Sequence, residues 1–326
     1  MGSINRRLFL RATAVSAVAV TVPTFTASAC LTIDTIQGKT LLKGRDVKTA
    51  LVVWYSQTGN TARMGRLMAK TLEKSGVSVI ASEMRDLDAA KLPDVDLIIV
   101  GSPVFYYDTP PYVTQWIDAM PDISGIPTAA FVTFGGPEGN QDNAACTILA
   151  HCAEKGGVPV GLKTFMNMST YPLAWSETKV HHKTWMSRDL PDEETYQAAR
   201  AYADLLVQRV GQGQSDVFTR KLTLREMVTK IHPIWWTKLV VKGHGIDREK
   251  CVGCGTCVAK CPAGAIDLEQ FEINTKKCEL CFGCINNCPA QAVVMTYNGE
   301  NVFGYHEFMK KRGLRVIDPE ELQEGQ

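Results

Sequence analysis

Eight cysteines between residues 251 and 288 constrain this chain more than any other feature of its sequence. They form two copies of the pattern Cys-x2-Cys-x2-Cys-x3-Cys-Pro, CVGCGTCVAKCP and CELCFGCINNCP, which begin at Cys251 and Cys278. Thiolate sulfur is the soft, anionic ligand that iron-sulfur clusters require, and the short spacers let one loop place three sulfurs around one cluster. The repeat therefore predicts two clusters.

Zinc is the alternative metal that so many cysteines could bind. Zinc sites use paired Cys-x2-Cys units with longer gaps, whereas a third cysteine at the same spacing followed by Cys-Pro does not fit that pattern. Gly253, Gly255 and Gly283 also suit tight loops whose amide N–H groups turn toward cluster sulfurs. The pattern therefore favours iron-sulfur clusters over zinc.

This stretch resembles a bacterial two-cluster ferredoxin of the 2[4Fe-4S] type, in which the fourth cysteine of each copy ligates the other cluster. The resemblance implies two [4Fe-4S] clusters in a small α+β ferredoxin-like domain. Because the module has few apolar residues per ligand, we expect the clusters to hold it folded. By this resemblance one cluster is ligated by Cys251, Cys254, Cys257 and Cys288, and the other by Cys278, Cys281, Cys284 and Cys261.

Residues 1–29 have the composition of a signal peptide. A basic patch with Arg6 and Arg7 precedes an apolar run from Ala12 to Phe25, which is shorter than a membrane span. The stretch NRRLFLR resembles a twin-arginine signal, which exports folded proteins. Export after folding suits a chain that receives its clusters in the cytoplasm, and it disfavours disulfides between the eight cysteines.

Two outcomes stay open where the leader ends. Ala27-Ser28-Ala29 satisfies the A-x-A rule for cleavage, but the next residue is Cys30, so the same stretch also resembles a lipoprotein box. Ala27 stands where such a box usually has a large apolar residue. We expect the mature protein in the periplasm or on the outer face of the cell membrane, with a lipid anchor at Cys30 or without one.

The length of 326 residues fits about two domains, and the composition is that of an ordinary globular protein. Three of the 35 basic residues lie in the leader, which leaves 32 basic against 34 acidic residues from Cys30 onward. This near-neutral balance provides no basic surface for nucleic acid. Nothing in the sequence indicates an oligomeric state.

From residue 49, apolar runs alternate with amphipathic stretches, which predicts parallel strands joined by helices. The first loop, after ALVVWY at 50–55, directs hydroxyls, N–H groups and a helix N-terminus at one point, as a phosphate site requires. A single helix cap would not need so many polar residues, and neither a Walker nor a dinucleotide motif is present. The predicted phosphate-binding residues are Ser56, Thr58, Gly59, Asn60 and Thr61. Further strands are predicted at 77–82, 95–100, 128–133 and 158–165, and helices at 141–155 and 193–210.

Two more loops follow predicted strands, one rich in aromatic residues and one in glycine. Ligands of doubly wound sheets bind beyond the carboxyl ends of the strands, where aromatic rings stack on a flat ligand and glycines let the backbone approach it. The three loops together resemble the FMN-binding loops of flavodoxins, although Trp54 stands where that family usually has Phe or Tyr, and Gly65 where it usually has Ala. The resemblance implies a flavodoxin-like fold, a doubly wound five-stranded parallel sheet that binds FMN. The flavin contacts that it implies are Ser102, Pro103, Val104, Phe105, Tyr106, Gly135, Gly136 and Asn140.

Residues 216–245 mix Trp235, Trp236 and aliphatic residues with six lysines and arginines, which predicts a basic amphipathic helix broken at Pro233. We favour a clamp between the two domains over a helix on a membrane surface. The long loop at 166–192 is expected to be a lid over the flavin or a docking surface for the clusters. The charged tail from Lys310 is expected to be a surface arm. The predicted segments are a signal peptide at 1–29, an N-terminal tether at 30–48, a flavodoxin-like domain at 49–210, a basic amphipathic connector at 211–245, a ferredoxin domain at 246–300 and a C-terminal tail at 301–326.

The predicted function is electron transfer between two [4Fe-4S] clusters and FMN. FMN accepts electrons singly or in pairs, whereas clusters pass them one at a time. Because nothing resembles a nicotinamide site, the expected partner is a redox protein or a quinol-linked membrane complex. Two alternatives stay open, which are a flavin-dependent reductase of a small acceptor and a ferredoxin carrier whose flavodoxin-like domain only docks partners.

Overall fold

The structure, a computed structural model, describes residues 30–136, 141–223 and 233–323. The strands are β1 (Cys30–Ile36), β2 (Thr49–Trp54), β3 (Ser78–Glu83), β4 (Leu97–Pro103), β5 (Pro127–Phe134), β6 (Val158–Met166), β7 (Phe218–Thr223), β8 (Val241–Ile246), β9 (Ile266–Asp267), β10 (Glu272–Ile273), β11 (Val293–Tyr297) and β12 (Glu300–Asn301). The α-helices are α1 (Asn60–Lys74), α2 (Pro111–Asp118), α3 (Gln141–Glu154), α4 (His182–Met186), α5 (Glu193–Gly211), α6 (Pro233–Val240), α7 (Thr256–Ala259), α8 (Gly283–Asn287), α9 (Tyr305–Arg312) and α10 (Glu320–Gln323).

Residues 49–211, which we call the α/β domain, form the predicted doubly wound sheet of five parallel strands. The strand order is β3-β2-β4-β5-β6. Helices α1 and α5 cover one face and α2 and α3 the other, so the central strands are buried on both sides and carry apolar residues without alternation. The order reverses between β2 and β4, which opens a crevice at the carboxyl ends of these strands.

The five strands, α3 and α5 lie within three residues of the predicted bounds, whereas α2 was not predicted. The loop predicted at 166–192 is not wholly irregular, because it contains the five-residue helix α4. Residues 1–29, which carry the predicted signal peptide, lie outside the described residues, as does Asn140.

A two-stranded ribbon of β1 and β7 lies against the α/β domain and corrects two predictions. The strands pair antiparallel, with Ile36 opposite Phe218. Both residues pack onto the core of buried residues that includes α3. Asn143 of α3 also fixes the ribbon, since its side chain donates to the carbonyl oxygen of Lys221 at 2.6 Å and accepts from its amide at 3.1 Å. The predicted tether therefore begins as a strand, and the predicted helical connector is wrong over the residues of β7.

Residues 241–301, which we call the cysteine module, follow. They contain a three-stranded antiparallel sheet in the order β12-β11-β8 and a small pair of strands, β9 and β10. Its buried core is small, with Ile285, Val293 and Met295 among its members. This size agrees with a module that depends on its clusters to stay folded. The sheet begins at Val241, a few residues before the predicted domain boundary at 246.

The C-terminal tail does not extend from the surface as a free arm, so that prediction is wrong. Phe308 of α9 is fully buried, and its ring lies 4.5 Å from that of Trp175 in the α/β domain. Farther along, Glu321 of α10 accepts hydrogen bonds of 2.8 and 2.9 Å from Arg200 of α5. Apolar residues at helical spacing lie among the tail's charges, and these residues dock it.

Helix α6 contacts both domains, as the clamp hypothesis predicts. Thr237 is buried in hydrogen-bonding contact with Tyr106 and Tyr171 of the α/β domain. Lys238 donates to the carbonyl oxygen of Lys276 in the cysteine module at 3.4 Å. In the described ranges, every helix is too short or too polar to cross a membrane.

Candidate functional site

The phosphate loop, residues 56–61, lines one end of the crevice. Gly59 has φ +95°, a conformation that glycine adopts without strain, and its amide donates to Ser56 Oγ at 3.2 Å. Helix α1 begins at Asn60 with no acidic residue in its first turn, so its N-terminal N–H groups face the crevice without a competing carboxylate. Of the predicted residues, Ser56, Thr58, Asn60 and Thr61 line the crevice, and Gly59 shapes the turn.

Several polar groups of this loop have partners within the protein. The Thr61 hydroxyl lies 2.8 Å from the Thr133 hydroxyl and is buried. The Ser56 amide donates to Glu83 at 3.3 Å, and burial raises the pKa of the Glu83 carboxyl to about 7. The Arg85 guanidinium, 3.2 Å away, acts in the opposite direction on that pKa.

The aromatic loop, residues 102–108, turns sharply at its tip. Phe105 and Asp108 exchange two backbone hydrogen bonds, and both residues between them, Tyr106 and Tyr107, have positive φ. Such a turn is unfavourable for tyrosine and occurs where the surrounding structure enforces it. The Tyr106 hydroxyl donates to the carbonyl oxygen of Leu280 in the cysteine module at 3.0 Å, and burial raises the pKa of Tyr106 far above its usual range. Residues Pro103, Val104, Phe105 and Tyr106 line the crevice, whereas Ser102 is buried behind it.

The glycine loop and the long loop close the other side of the crevice. Gly135 and Gly136 both line it, and a side chain at Gly135 would overlap the backbone of Ser169. Asn167 also lines the crevice, and its Oδ1 is buried without a hydrogen-bond partner among the described residues. An isoalloxazine ring offers an N–H to such an acceptor, so these walls fit FMN as well as the phosphate loop does.

The cysteine module contains two small, apolar cavities of similar size. None of the eight cysteines forms a disulfide. Backbone amides donate to three of the sulfurs, with distances of 3.2 Å to Cys261, 3.3 Å to Cys278 and 3.2 Å to Cys288. The first cavity, here named proximal, is lined by Cys261, Cys278, Cys281 and Cys284, and the second, here named distal, by Cys251, Cys254, Cys257 and Cys288. The structure thus brings the cysteines together in the two sets of four that the sequence predicts.

The electrostatics of the proximal cavity fit a cationic metal. Burial raises the pKa of the Cys281 thiol to about 12 and that of Cys284 well above its usual range. Burial also lowers the pKa of His244, whose Nε2 lies 3.7 Å from Cys284 Sγ, to about 4. A neutral histidine cannot compensate thiolate charge, so a metal cation bound by these sulfurs would supply the positive charge that keeps them ionised.

The crevice and the proximal cavity share a wall. Cys281 and Phe282 line both of them. Gln57 of the phosphate loop contacts Cys281 directly, and Asn286 donates to the carbonyl oxygen of Thr170 at 3.0 Å. No local pattern marks Gln57 or Phe282 as a site residue, because the partners of each lie in the other domain.

Comparisons with known proteins give a family for each domain. Residues 51–170 match the family described as flavodoxin domain, and residues 244–289 match the family described as 4Fe-4S dicluster domain. No curated protein matches the chain.

Solved structures similar to the chain cover its α/β part. A flavodoxin from the domain Archaea is 19% identical, with a TM-score of 0.37, and the match covers 50% of this chain and 98% of the flavodoxin. Oxidised Flavodoxin 1 from Bacillus cereus is 20% identical, with a TM-score of 0.38, over 49% of this chain and 97% of the other. Rubredoxin oxygen:oxidoreductase from the anaerobe Desulfovibrio gigas is 17% identical, with a TM-score of 0.37, and the match covers 53% of this chain and 38% of the other. From the two domain families, the chain is an electron-transfer protein with a flavodoxin domain that binds FMN and a 4Fe-4S dicluster domain that holds two [4Fe-4S] clusters.

Proposed function

We propose that this protein is an exported relay that passes single electrons between an external partner and FMN by way of its two clusters. The observation that carries the proposal is the shared wall, since Cys281 lines both the crevice and the proximal cavity. One chain therefore keeps the two carriers at a fixed short separation, and transfer does not depend on a diffusional encounter.

The distal cavity supports a route to the outside. Cys254 is exposed, and Val252 and Val258 beside it are 70% and 44% exposed. A partner that docks on this loop would contact the module next to the distal ligands. We propose that the partner is a redox protein or a quinol-linked membrane complex.

The residues of the chain hold and shield the carriers. The phosphate loop and the N-terminus of α1 bind the phosphate, and the aromatic and glycine loops flank the ring. Tyr106, whose hydroxyl donates to the carbonyl oxygen of Leu280, covers the shared wall and keeps water from it. When bound, FMN supplies both one- and two-electron chemistry, and the clusters supply one-electron transfer.

The relay is tested by a flash-photolysis measurement on the full chain purified without oxygen. Iron and FMN contents are measured first. The flavin is then photoreduced, and the cluster absorbance is followed at several protein concentrations. We expect a rate that does not change with protein concentration, because the electron moves within one molecule. A rate proportional to concentration, or a purified protein without flavin, would refute the relay.

We further propose that the twin-arginine leader at residues 1–29 exports the folded, cluster-containing protein. A fusion that replaces Arg6 and Arg7 with lysine should stay in the cytoplasm, and normal export of that variant would contradict the proposal. The mass of the mature N-terminus then distinguishes a lipid-modified Cys30 from a free one.

A further inference from the structure

Gln57 connects the phosphate loop to a cluster ligand. The residue is 5% exposed, and its Nε2 lies 3.7 Å from Cys281 Sγ and 2.9 Å from the carbonyl oxygen of Lys260. The backbone carbonyl oxygen of Gln57 accepts a hydrogen bond of 2.9 Å from Asn287 Nδ2. Its neighbours in the chain line the crevice, so one residue touches both the flavin-binding loop and the proximal set of cysteines.

The cysteine module is shaped to admit this amide. A side chain at Gly283 would overlap the amide of Gln57, so the module leaves that space empty. Gln57 Nε2 also donates to the Tyr55 hydroxyl, so the two hydrogens of the amide nitrogen are shared among three acceptors. Gln57 Oε1 is nevertheless buried without a hydrogen-bond partner among the described residues. Buried amide oxygens are normally bonded, whereas in the described part of the chain the hydrogen bonds of this amide group are those of its nitrogen alone.

An amide N–H directed at a cluster thiolate changes the energy of the two redox states unequally. Reduction adds negative charge that is shared with the sulfur ligands, and a donor to one of those sulfurs stabilises the reduced state more than the oxidised one. Hydrogen bonds to ligand sulfurs therefore raise the reduction potential of a cluster.

Resting on the proposed relay, we propose that Gln57 is a positioning residue that donates a hydrogen bond to Cys281 and raises the midpoint potential of the proximal cluster. The bond exists only while the phosphate loop is docked on the cysteine module. The flavodoxin domain thus sets the potential of the cluster that faces its own cofactor. The reaction concerned is a one-electron transfer, so no covalent bond forms or breaks and Gln57 keeps its protons.

The test is a redox titration of the full-length protein with both clusters and FMN bound, followed by electron paramagnetic resonance. Gln57→Leu keeps the approximate size of the side chain and removes the donor. We expect the midpoint of the proximal cluster to shift downward while that of the distal cluster stays the same. Thr256→Val is the matched control, because the Thr256 hydroxyl lies 3.4 Å from Cys254 Sγ, a distal ligand. It should shift the distal midpoint and leave the proximal one unchanged, which also assigns the two signals.

Unchanged midpoints in a fully loaded Gln57→Leu protein would overturn the inference. If that variant does not retain its clusters, Gln57→Glu keeps the side-chain length and places a carboxylate beside Cys281, which should lower the proximal midpoint further. Loss of both clusters from both variants would assign Gln57 a role in folding and would equally overturn the inference. The outcome is separate from that of the relay, because midpoints are equilibrium values and the photolysis experiment measures a rate in the unmodified protein.

Discussion

The Gly65→Ala substitution tests whether the two departures from the flavodoxin pattern, at positions 54 and 65, compensate each other. A Cβ at Gly65 would lie 2.9 Å from Cδ2 and 3.1 Å from Cζ3 of the Trp54 ring, and closer still to Cε3. Trp54 is 6% exposed and ends β2, whereas Gly65 lies in the second turn of α1. The large ring therefore requires a residue without a side chain at position 65. The pair fixes how β2 enters the phosphate loop and how α1 leaves it.

Two opposing terms set the magnitude. Replacing glycine by alanine inside a helix stabilises by about 1 kcal/mol. Forcing a methyl group into a packed aromatic ring costs about 1–3 kcal/mol, and the overlap here places the cost in the upper half of that range. Gly65→Ala should therefore destabilise by about 1–2 kcal/mol. With Trp54→Phe in place, Cε3 and Cζ3 of the indole are gone and the smaller ring leaves room for the methyl group, so the same change should no longer destabilise and the coupling energy is about 2 kcal/mol.

The assay is thermal unfolding of the full-length protein, followed by circular dichroism, for the two single variants and the double variant. A change of 1 kcal/mol corresponds to about 2–4 °C for a domain of this size. Gly211→Ala is the control, because a Cβ there would meet nothing within 4 Å, and this variant should not lower the melting temperature. Melting-temperature shifts that add within error in the double variant would show that the contact does not couple the two positions.

Three further predictions concern one buried thiol and the joint, by which we mean the contacts that the cysteine module and the C-terminal tail make with the α/β domain. The hydrogen bond from Arg200 lowers the pKa of Glu321 to about 2, so this carboxylate stabilises the fold above about pH 4.5 and the contribution is lost as the pH falls toward 2. Glu321→Gln should therefore lower the free energy of unfolding by about 1–2 kcal/mol at pH 7, after allowance for solvent screening. Denaturant unfolding at each pH should show that the difference from the unmodified protein vanishes near pH 2. Tyr106→Phe removes the hydrogen bond to the Leu280 carbonyl oxygen and should destabilise by about 1 kcal/mol with FMN retained, and a normal melting temperature would contradict this. Burial raises the pKa of Cys152 to about 12, so this thiol should resist iodoacetamide in the native protein at pH 8 and react only on unfolding, as peptide mapping would show.

The α/β domain could be predicted from the sequence because its signals are local. The run ALVVWY, for example, is apolar without alternation, and β2 is buried on both faces for that reason. The β1–β7 ribbon gave no such signal. Its residues Arg220 and Lys221 read as part of a basic helix, and they form a strand only because a segment almost 190 residues earlier pairs with them. The side chain of Asp34 lies across the ribbon from Arg220 at 3.8 Å, a pair that no local pattern contains.

The residues of the candidate site were likewise predictable only where the signal is local in the sequence. The cysteine spacing is a local pattern tied to one chemistry, and the eight sulfurs gather in the predicted sets of four. The phosphate loop is recognisable because its hydroxyls and glycine lie within six residues. Gln57 lies inside that loop but carried no signal of its own, since its partners at Lys260, Cys281 and Asn287 come together only when the domains dock. The contact between Gln57 and Cys281 depends on how the two domains are placed relative to each other, and the local sequence of neither loop determines that placement.

That placement is fixed at more than one point, which matters because the joint itself is weak. Most of the hydrogen bonds across it end on backbone carbonyl oxygens, including those of Leu280 and Thr170, and a polar surface of this kind resembles a transient interface. The C-terminal tail adds what the joint lacks. It leaves the cysteine module, buries Phe308 against Trp175 and then reaches Arg200 of α5. Opening the joint would therefore also expose a buried aromatic pair, so the contact between Phe308 and Trp175 stabilises the closed arrangement, with the phosphate loop against Cys281.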